Sequence, residues 1–442
     1  MKFVGETMNF YTRTTKKTPF LHRIAPMVLL MLLSISTEAL DLTAQMGYEG
    51  EYTTNTARSE NNEVDEWIHR PLINAGLTHQ TNSLQASANY SARREIHSED
   101  VFDDRTFITG GASITWQALP QRLSFNAFNT RTETSINSAA PDNQDNRQVS
   151  DTTGAGVSLN VPSFGAQYLQ LDATFSRLDR DETGSDSDRQ SSNLAYVLPF
   201  NNVQSMRVNL GYSDIDFDNE FAPDFISKNG NLQYVSTGSK LDIDVAAGFT
   251  RLERSLGRDD VDGGTGNASI VWRATGTTSL SASFRRSIND NSLDTNRGLP
   301  SFGEQFTEDS ALNEVFTQNN TELTFNTRLG HNEISLSGYL RDKDYEDIPR
   351  DELRKYVSFK VSRNLRPDIQ GRVSVSGLKV DFDESSSDYE ELRAMISFDW
   401  KQIRNLTITT SAGYTDRTAD GSTPEYDEVR ASIRFLYLLA GK

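Results

Sequence analysis

Residues 429–439 read Val-Arg-Ala-Ser-Ile-Arg-Phe-Leu-Tyr-Leu-Leu. Val429, Ala431, Ile433, Phe435, Tyr437 and Leu439 fall at every second position, with Arg430, Ser432 and Arg434 between them. A period of two belongs to a strand with one apolar and one polar face. The stretch before it repeats the pattern: Leu406, Ile408, Thr410, Ala412 and Tyr414 against Thr407, Thr409, Ser411 and Gly413. Before that, Leu392, Ala394, Ile396, Phe398 and Trp400 face away from Arg393, Ser397 and Asp399. The same alternation runs through 84–92, 123–127, 155–161, 169–175, 206–212, 241–249, 280–284 and 334–340. Helical spacing is nearly absent after residue 40.

Working outward in this way predicts about twenty strands. They start near residues 41, 67, 83, 106, 122, 151, 167, 190, 204, 229, 240, 265, 278, 315, 332, 353, 368, 391, 405 and 428. The connections alternate in length. Thr81-Asn82, Thr275-Gly276 and Gly330-His331 are short, whereas 54–66, 135–150, 214–228 and 289–314 are long. Short turns at one end and long loops at the other describe a transmembrane antiparallel up-and-down β-barrel of about 20 strands (18–22). A soluble sandwich or β-helix has shorter strands and no such alternation. Trp116, Trp272 and Trp400 each close a strand just before a short turn, so their indoles belong to the membrane-interface belt at the periplasmic rim. Phe435, Tyr437 and Leu439 offer the aromatic ending common in outer-membrane strands, although Ala440-Gly441-Lys442 follows.

Arg13, Lys16, Lys17 and Arg23 precede the apolar run 24–35, and Thr37-Glu38-Ala39 follows. That order is a secretory signal peptide. The run is too short for a membrane helix, which needs roughly 20 residues. The expected organisation is a cleaved leader over 1–39, starting at Met1 or Met8, and one barrel domain over 40–442. The absence of cysteine excludes disulfides, thiolate catalysis and lipoprotein anchoring. A net charge of −18 argues against nucleic acid as partner.

The charge is unevenly placed. The ten long connections hold 47 Asp plus Glu against 12 Lys plus Arg, so the strands and short turns are net basic. With the apolar set facing lipid, parity turns Arg273, Arg285, Arg328, Arg341, Arg354, Lys360, Arg372, Arg393, Arg430 and Arg434 inward. Asp172, Asp242, Asp244, Glu322, Glu333 and Asp399 are the expected inward acids. Inward placement avoids roughly 2–4 kcal/mol per cation at the lipid midplane. Such a wall predicts a hydrated, anion-preferring conduit. Loop 289–314 is the segment expected to fold inward as a constriction. Asp214, Asp216, Asp218 and Glu220 suggest calcium. Asn219 and Phe225 stand where an EF-hand needs Gly and Glu, so solvation is the favoured reading and no metal or cofactor is expected. No GxSxG, HExxH or P-loop pattern occurs, and the chain does not read as an enzyme.

The acidic stretch Asp342-Lys-Asp-Tyr-Glu-Asp, the Arg-rich alternating strand after it, and Ser362-Arg-Asn-Leu-Arg-Pro form one further pattern. It resembles the porin-like outer-membrane β-barrel proteins associated with exopolysaccharide and PEP-CTERM systems, most clearly from Leu323 to Leu439. The resemblance implies a place near surface-polysaccharide export and supplies no catalytic residues. The expected function is therefore a basic-lined conduit in a Gram-negative outer membrane, passing an anionic solute. Lipid, lipopolysaccharide and the barrel-assembly machinery are its expected partners, with anionic polysaccharide as the solute. The competing readings are a structural or adhesive barrel whose acidic loops bind a partner, and a sheath housing another subunit.

Overall fold

The computed structural model describes residues 40–137, 139–183, 186–219, 222–290, 314–383, 387–421 and 424–441. Within Asp41–Lys442, which forms one compact unit, the described residues build twenty strands. They are β1 (Leu40–Thr53), β2 (Glu66–Gln80), β3 (Leu84–His97), β4 (Arg105–Leu119) and β5 (Leu123–Ser135). There follow β6 (Arg147–Pro162), β7 (Tyr168–Arg180), β8 (Ser187–Pro199), β9 (Gln204–Phe217) and β10 (Phe225–Thr237). The third quarter comprises β11 (Leu241–Arg254), β12 (Val261–Arg273), β13 (Thr278–Asp290), β14 (Val315–Leu329) and β15 (Asn332–Tyr345). The last is β16 (Glu352–Arg366), β17 (Ile369–Phe382), β18 (Tyr389–Ile403), β19 (Leu406–Ala419) and β20 (Tyr426–Ala440). Each strand pairs antiparallel with its sequence neighbours, and β1 pairs with β20 from Ala44↔Ala440 to Thr53↔Arg430. The sheet is a closed up-and-down barrel and leaves no free edge.

The expected strand starts agree to within a few residues. The largest differences lie at β6, β10 and β12, which begin at Arg147, Phe225 and Val261. All three follow long connections. Their charged and glycine-rich starts were read as loop, yet they continue the ladder.

The outward face carries an apolar band. On β18 it runs from Leu392 to Trp400, and on β19 from Leu406 to Tyr414. Nine residues per strand match the length that a tilted strand needs to cross a bilayer. Trp116, Trp272 and Trp400 lie at the short-turn border of the band, 39%, 50% and 40% exposed. Trp116 stacks on Phe125 at 5.6 Å, and the Trp400 indole donates to Asp368 at 3.2 Å. Each ring thus joins an apolar body to a polar tip, the arrangement suited to an interface.

Beyond the band, toward the long connections, the alternation changes phase. Val208, Leu210 and Tyr212 point outward on β9, but Ile215 and Phe217 point inward and are buried. β17 repeats this: Val373 and Val375 are outward, while Leu378, Val380 and Phe382 are inward and buried. Charged residues take the outward positions there, and Lys355–Asp381 and Lys379–Glu390 pair across strands at 2.8 and 2.6 Å. The barrel therefore has a wet wall in the membrane zone and a packed inner layer above it.

Two ladders stop early at that end. β12 and β13 pair only from Gly266↔Arg286 to Arg273↔Ser279, and β4 and β5 only from Gly110↔Arg131 to Leu119↔Leu123. An arginine bridges each gap by donating to an unpaired carbonyl: Arg286 to Gly264 at 3.1 Å, Arg131 to Ile108 at 2.9 Å. This meets the requirement that backbone acceptors find partners. Gly110 sits at the second break with φ +142°, and a Cβ there would lie 2.1 Å from the Asn89 carbonyl oxygen.

Candidate functional site

The lumen is the candidate site, and parity places every expected cation on its wall. The short-turn half is open. A cavity of about 1110 Å³ is lined there by Lys240, Arg273, Arg328, Glu333, Lys360 and a run of Ser and Thr. A second, of about 290 Å³, is lined by Asp399, Lys401, Thr407, Thr409 and Arg434.

The ten cations do not form one ladder of free charges. Arg273, Arg328 and Arg372 pair with the inward acids Asp242, Glu333 and Asp399. Arg434 lies 3.9 Å from Glu49. Arg341 sits over the Tyr339 ring at 5.3 Å. Arg393 pairs with Glu391, and Arg430 with Glu428 at 3.4 Å. Arg354 pairs with Glu352 and is 1% exposed, so it presents no charge to lumen water. Arg285 and Lys360 remain exposed on the inner wall with no ion pair among the described residues, as do Lys240 and Lys401.

The acids that neutralise the upper wall are Glu49, Glu51, Glu95, Glu133, Glu352, Glu391 and Glu428. Arg70 alone contacts Glu49, Glu51 and Glu95, at 3.2, 3.1 and 2.8 Å. The sequence reading missed them because it assigned Glu352, Glu391 and Glu428 to loops and extended no parity into β1.

The main departure from expectation is the connection 136–146 between β5 and β6. Its described residues reach across the lumen. Ala139 packs on a buried inward cluster of Tyr356, Leu378, Val380, Phe382 and Tyr389, contributed by β16, β17 and β18. Arg417 of β19 donates to the Ala139 carbonyl, and Arg350 donates to Asn137 Oδ1 at 2.9 Å. In a closed ring of twenty strands, β5 and β6 stand nearly opposite β16 and β17. Expected loop 289–314 lies almost wholly outside the described residues.

The bridge is built to hold its shape. Asn146 donates through its amide to the carbonyls of Asn137 and Pro141 at 2.8 and 3.0 Å, and its Oδ1 accepts from the Asn137 N–H at 2.8 Å. A 3-10 turn, Gln144–Asn146, is capped by the Asn143 side chain. Gln144 donates to the Asp103 carbonyl at 2.6 Å, which turns its Oε1 toward His97 Nε2 at 3.0 Å. His97 Nδ1 faces Glu66 Oε1 at 2.9 Å. An amide oxygen only accepts, so the ring Nε2–H donates to Gln144.

Asp142 occupies the middle of the bridge. Arg147 Nε lies 2.8 Å from its Oδ1, and Arg58 Nη1 lies 3.7 Å from its Oδ2. Arg58 also donates to the Asp142 carbonyl oxygen and pairs with Glu428 at 3.0 Å. Burial works against the charged form, but the guanidiniums of Arg147, Arg58 and Arg393 outweigh it and hold the Asp142 carboxyl well below the usual carboxylate range. Among the described residues, no group of three or more His, Asp or Glu side chains is arranged to hold a metal ion.

The architecture is that of outer-membrane β-barrels. No protein-family model matches the chain, and no curated protein does. Among solved structures, the FrpB iron transporter from Neisseria meningitidis aligns with a TM-score of 0.51 at 10% identity, over 90% of this chain and 81% of that one. The siderophore receptor PiuA from Acinetobacter baumannii aligns at 0.47 and 9% identity, over 89% and 82%. OccK2 (OpdF) from Pseudomonas aeruginosa aligns at 0.42 and 9% identity, over 91% and 99%. At these identities the likeness is one of fold.

Proposed function

We propose that the protein spans the outer membrane, short turns in the periplasm and long connections outside, as a conduit for anionic solutes. The reading rests on one observation above the others. The open half of the lumen holds Lys360, Lys401 and Lys240 exposed without carboxylate partners among the described residues, and Arg285 is exposed and likewise unpaired farther along the inner wall. Uncompensated cations in a confined aqueous wall raise the local concentration of anions. The paired arginines hold their acids in place and add little net field. A carboxylated surface polysaccharide is the solute class favoured, because its charge and hydroxyls suit a wall of cations, Ser and Thr.

Planar-bilayer recording tests the proposal on the full chain and on a variant whose residues 138–144 are replaced by two glycines. Shortening the bridge is expected to raise conductance several-fold and to leave an anion preference. Arg285→Ser, Lys360→Ser and Lys401→Ser together are expected to bring the anion-to-cation permeability ratio close to one. A folded, bridge-shortened barrel that passes no current overturns the conduit.

A further inference from the structure

Asp142 has the surroundings of a bound ligand. It stands on a segment that reaches across the lumen, and its carboxylate is held by Arg147 at 2.8 Å and Arg58 at 3.7 Å, with Arg393 adding to the positive field. These three belong to the foot of β6, the β1–β2 connection and β18, so the site is assembled from separate parts of the wall. The surrounding groups are Tyr426, Glu428, Glu391, Glu133, Arg417 and Arg430. Without Asp142, the guanidiniums of Arg58, Arg70, Arg93, Arg147, Arg393, Arg417 and Arg430 outnumber the carboxylates Glu49, Glu51, Glu95, Glu133, Glu391 and Glu428. Unbalanced buried charge is costly, and an entering anion would relieve it.

Resting on the anion-conduit reading, we infer that Arg58, Arg147 and Arg393 form a carboxylate-binding site in the lumen. The protein's own Asp142 occupies it, and a carboxylate carried by the solute exchanges with Asp142. The exchange frees the middle of the bridge, so binding and opening are one event. A tethered competitor acts at high effective concentration, so the resting protein binds weakly and the site is unmasked when the tether loses its charge.

Calorimetric titration of the detergent-solubilised full chain tests this, with D-galacturonate, inorganic phosphate and uncharged galactose as probes. Asp142→Asn keeps the shape and removes the charge, and is expected to bind galacturonate at least tenfold more tightly than the parent. Asp142→Glu is expected to behave as the parent. Adding Arg393→Gln to Asp142→Asn is expected to abolish the gain, and galactose is expected to give no heat. A folded Asp142→Asn variant with no gain for galacturonate overturns the site, as does an equal gain for galactose. A gain for phosphate alone overturns the carboxylate assignment. The parent needs no substitution in a second measurement: saturating galacturonate is expected to speed cleavage at Asp142 or Asp145 by an aspartate-specific endoproteinase, and unchanged cleavage counts against exchange. A galacturonate gain with no current in bilayers rejects the conduit and keeps the site. Current without a gain rejects the site alone.

Discussion

At the scale of single residues, alternation reveals which side of the wall a side chain takes but not how deep it lies. Arg354 and Lys360 share a strand and a face. One is fully buried against Glu352, and the other is exposed in the open half. Their difference comes from what covers the lumen above them, which local periodicity does not encode. The buried pair makes a sharp prediction. Glu352→Gln removes the carboxylate paired with the buried Arg354 guanidinium and is expected to destabilise the barrel by about 3–5 kcal/mol, whereas Arg354→Leu with Glu352→Leu recovers part of that loss. Urea midpoints of the refolded variants measure both. Parity assigns each expected cation a side of the wall but not a partner, because Glu391 and Glu428 lie beyond the positions where alternation predicts the strands to end.

At the scale of elements, strands were the legible part, since each carries its own apolar band and register follows from keeping that band in lipid. The phase change on β9 and β17 was also present in the sequence: Tyr212 to Ile215 and Val375 to Leu378 break the count of two. It marks where a strand leaves the membrane and begins to pack inward. The course of 136–146 was not legible, because its destination depends on residues such as Arg350 and Arg417, more than 200 positions away in sequence. Two substitutions on β17 separate the roles of its two faces. Val375→Arg, in the lipid band, is expected to cost roughly 2–4 kcal/mol and to depress assembly without altering the bridge. Leu378→Ala, under Ala139, is expected to cost about 2–5 kcal/mol and to speed proteolysis within 136–146. Folding yield and limited proteolysis read the two effects.

At the scale of the molecule, the acidic total of −18 is spread over a layered object. Two extramembrane regions are expected to respond to acid in opposite directions. The Asp142 carboxyl is held low, so the stability it contributes is present above the unfolded aspartate value of about 3.9 and is lost only as pH falls below the ordinary carboxylate range. Burial and the nearby Asp347 push Glu314 up; burial, Asp344 and Asp347 push Glu346 up. Their protonation therefore favours the folded state as pH falls toward the normal glutamate range from above, and the gain is complete once pH is below that range. Mild acid is accordingly expected to protect amides around 346–351 while leaving those of 136–146 unchanged, as hydrogen exchange between pH 7 and pH 5 would measure. The seam between β1 and β20 carries a different kind of consequence. Nine residues of β1, Gln45 to Thr53, keep unbroken register with β20 from Leu438 to Arg430, although no turn joins them. In covalent terms, then, the point at which the chain is cut is incidental to the ring. A gene that begins at another short turn and fuses residue 441 to residue 40 encodes the same cylinder with its beginning moved.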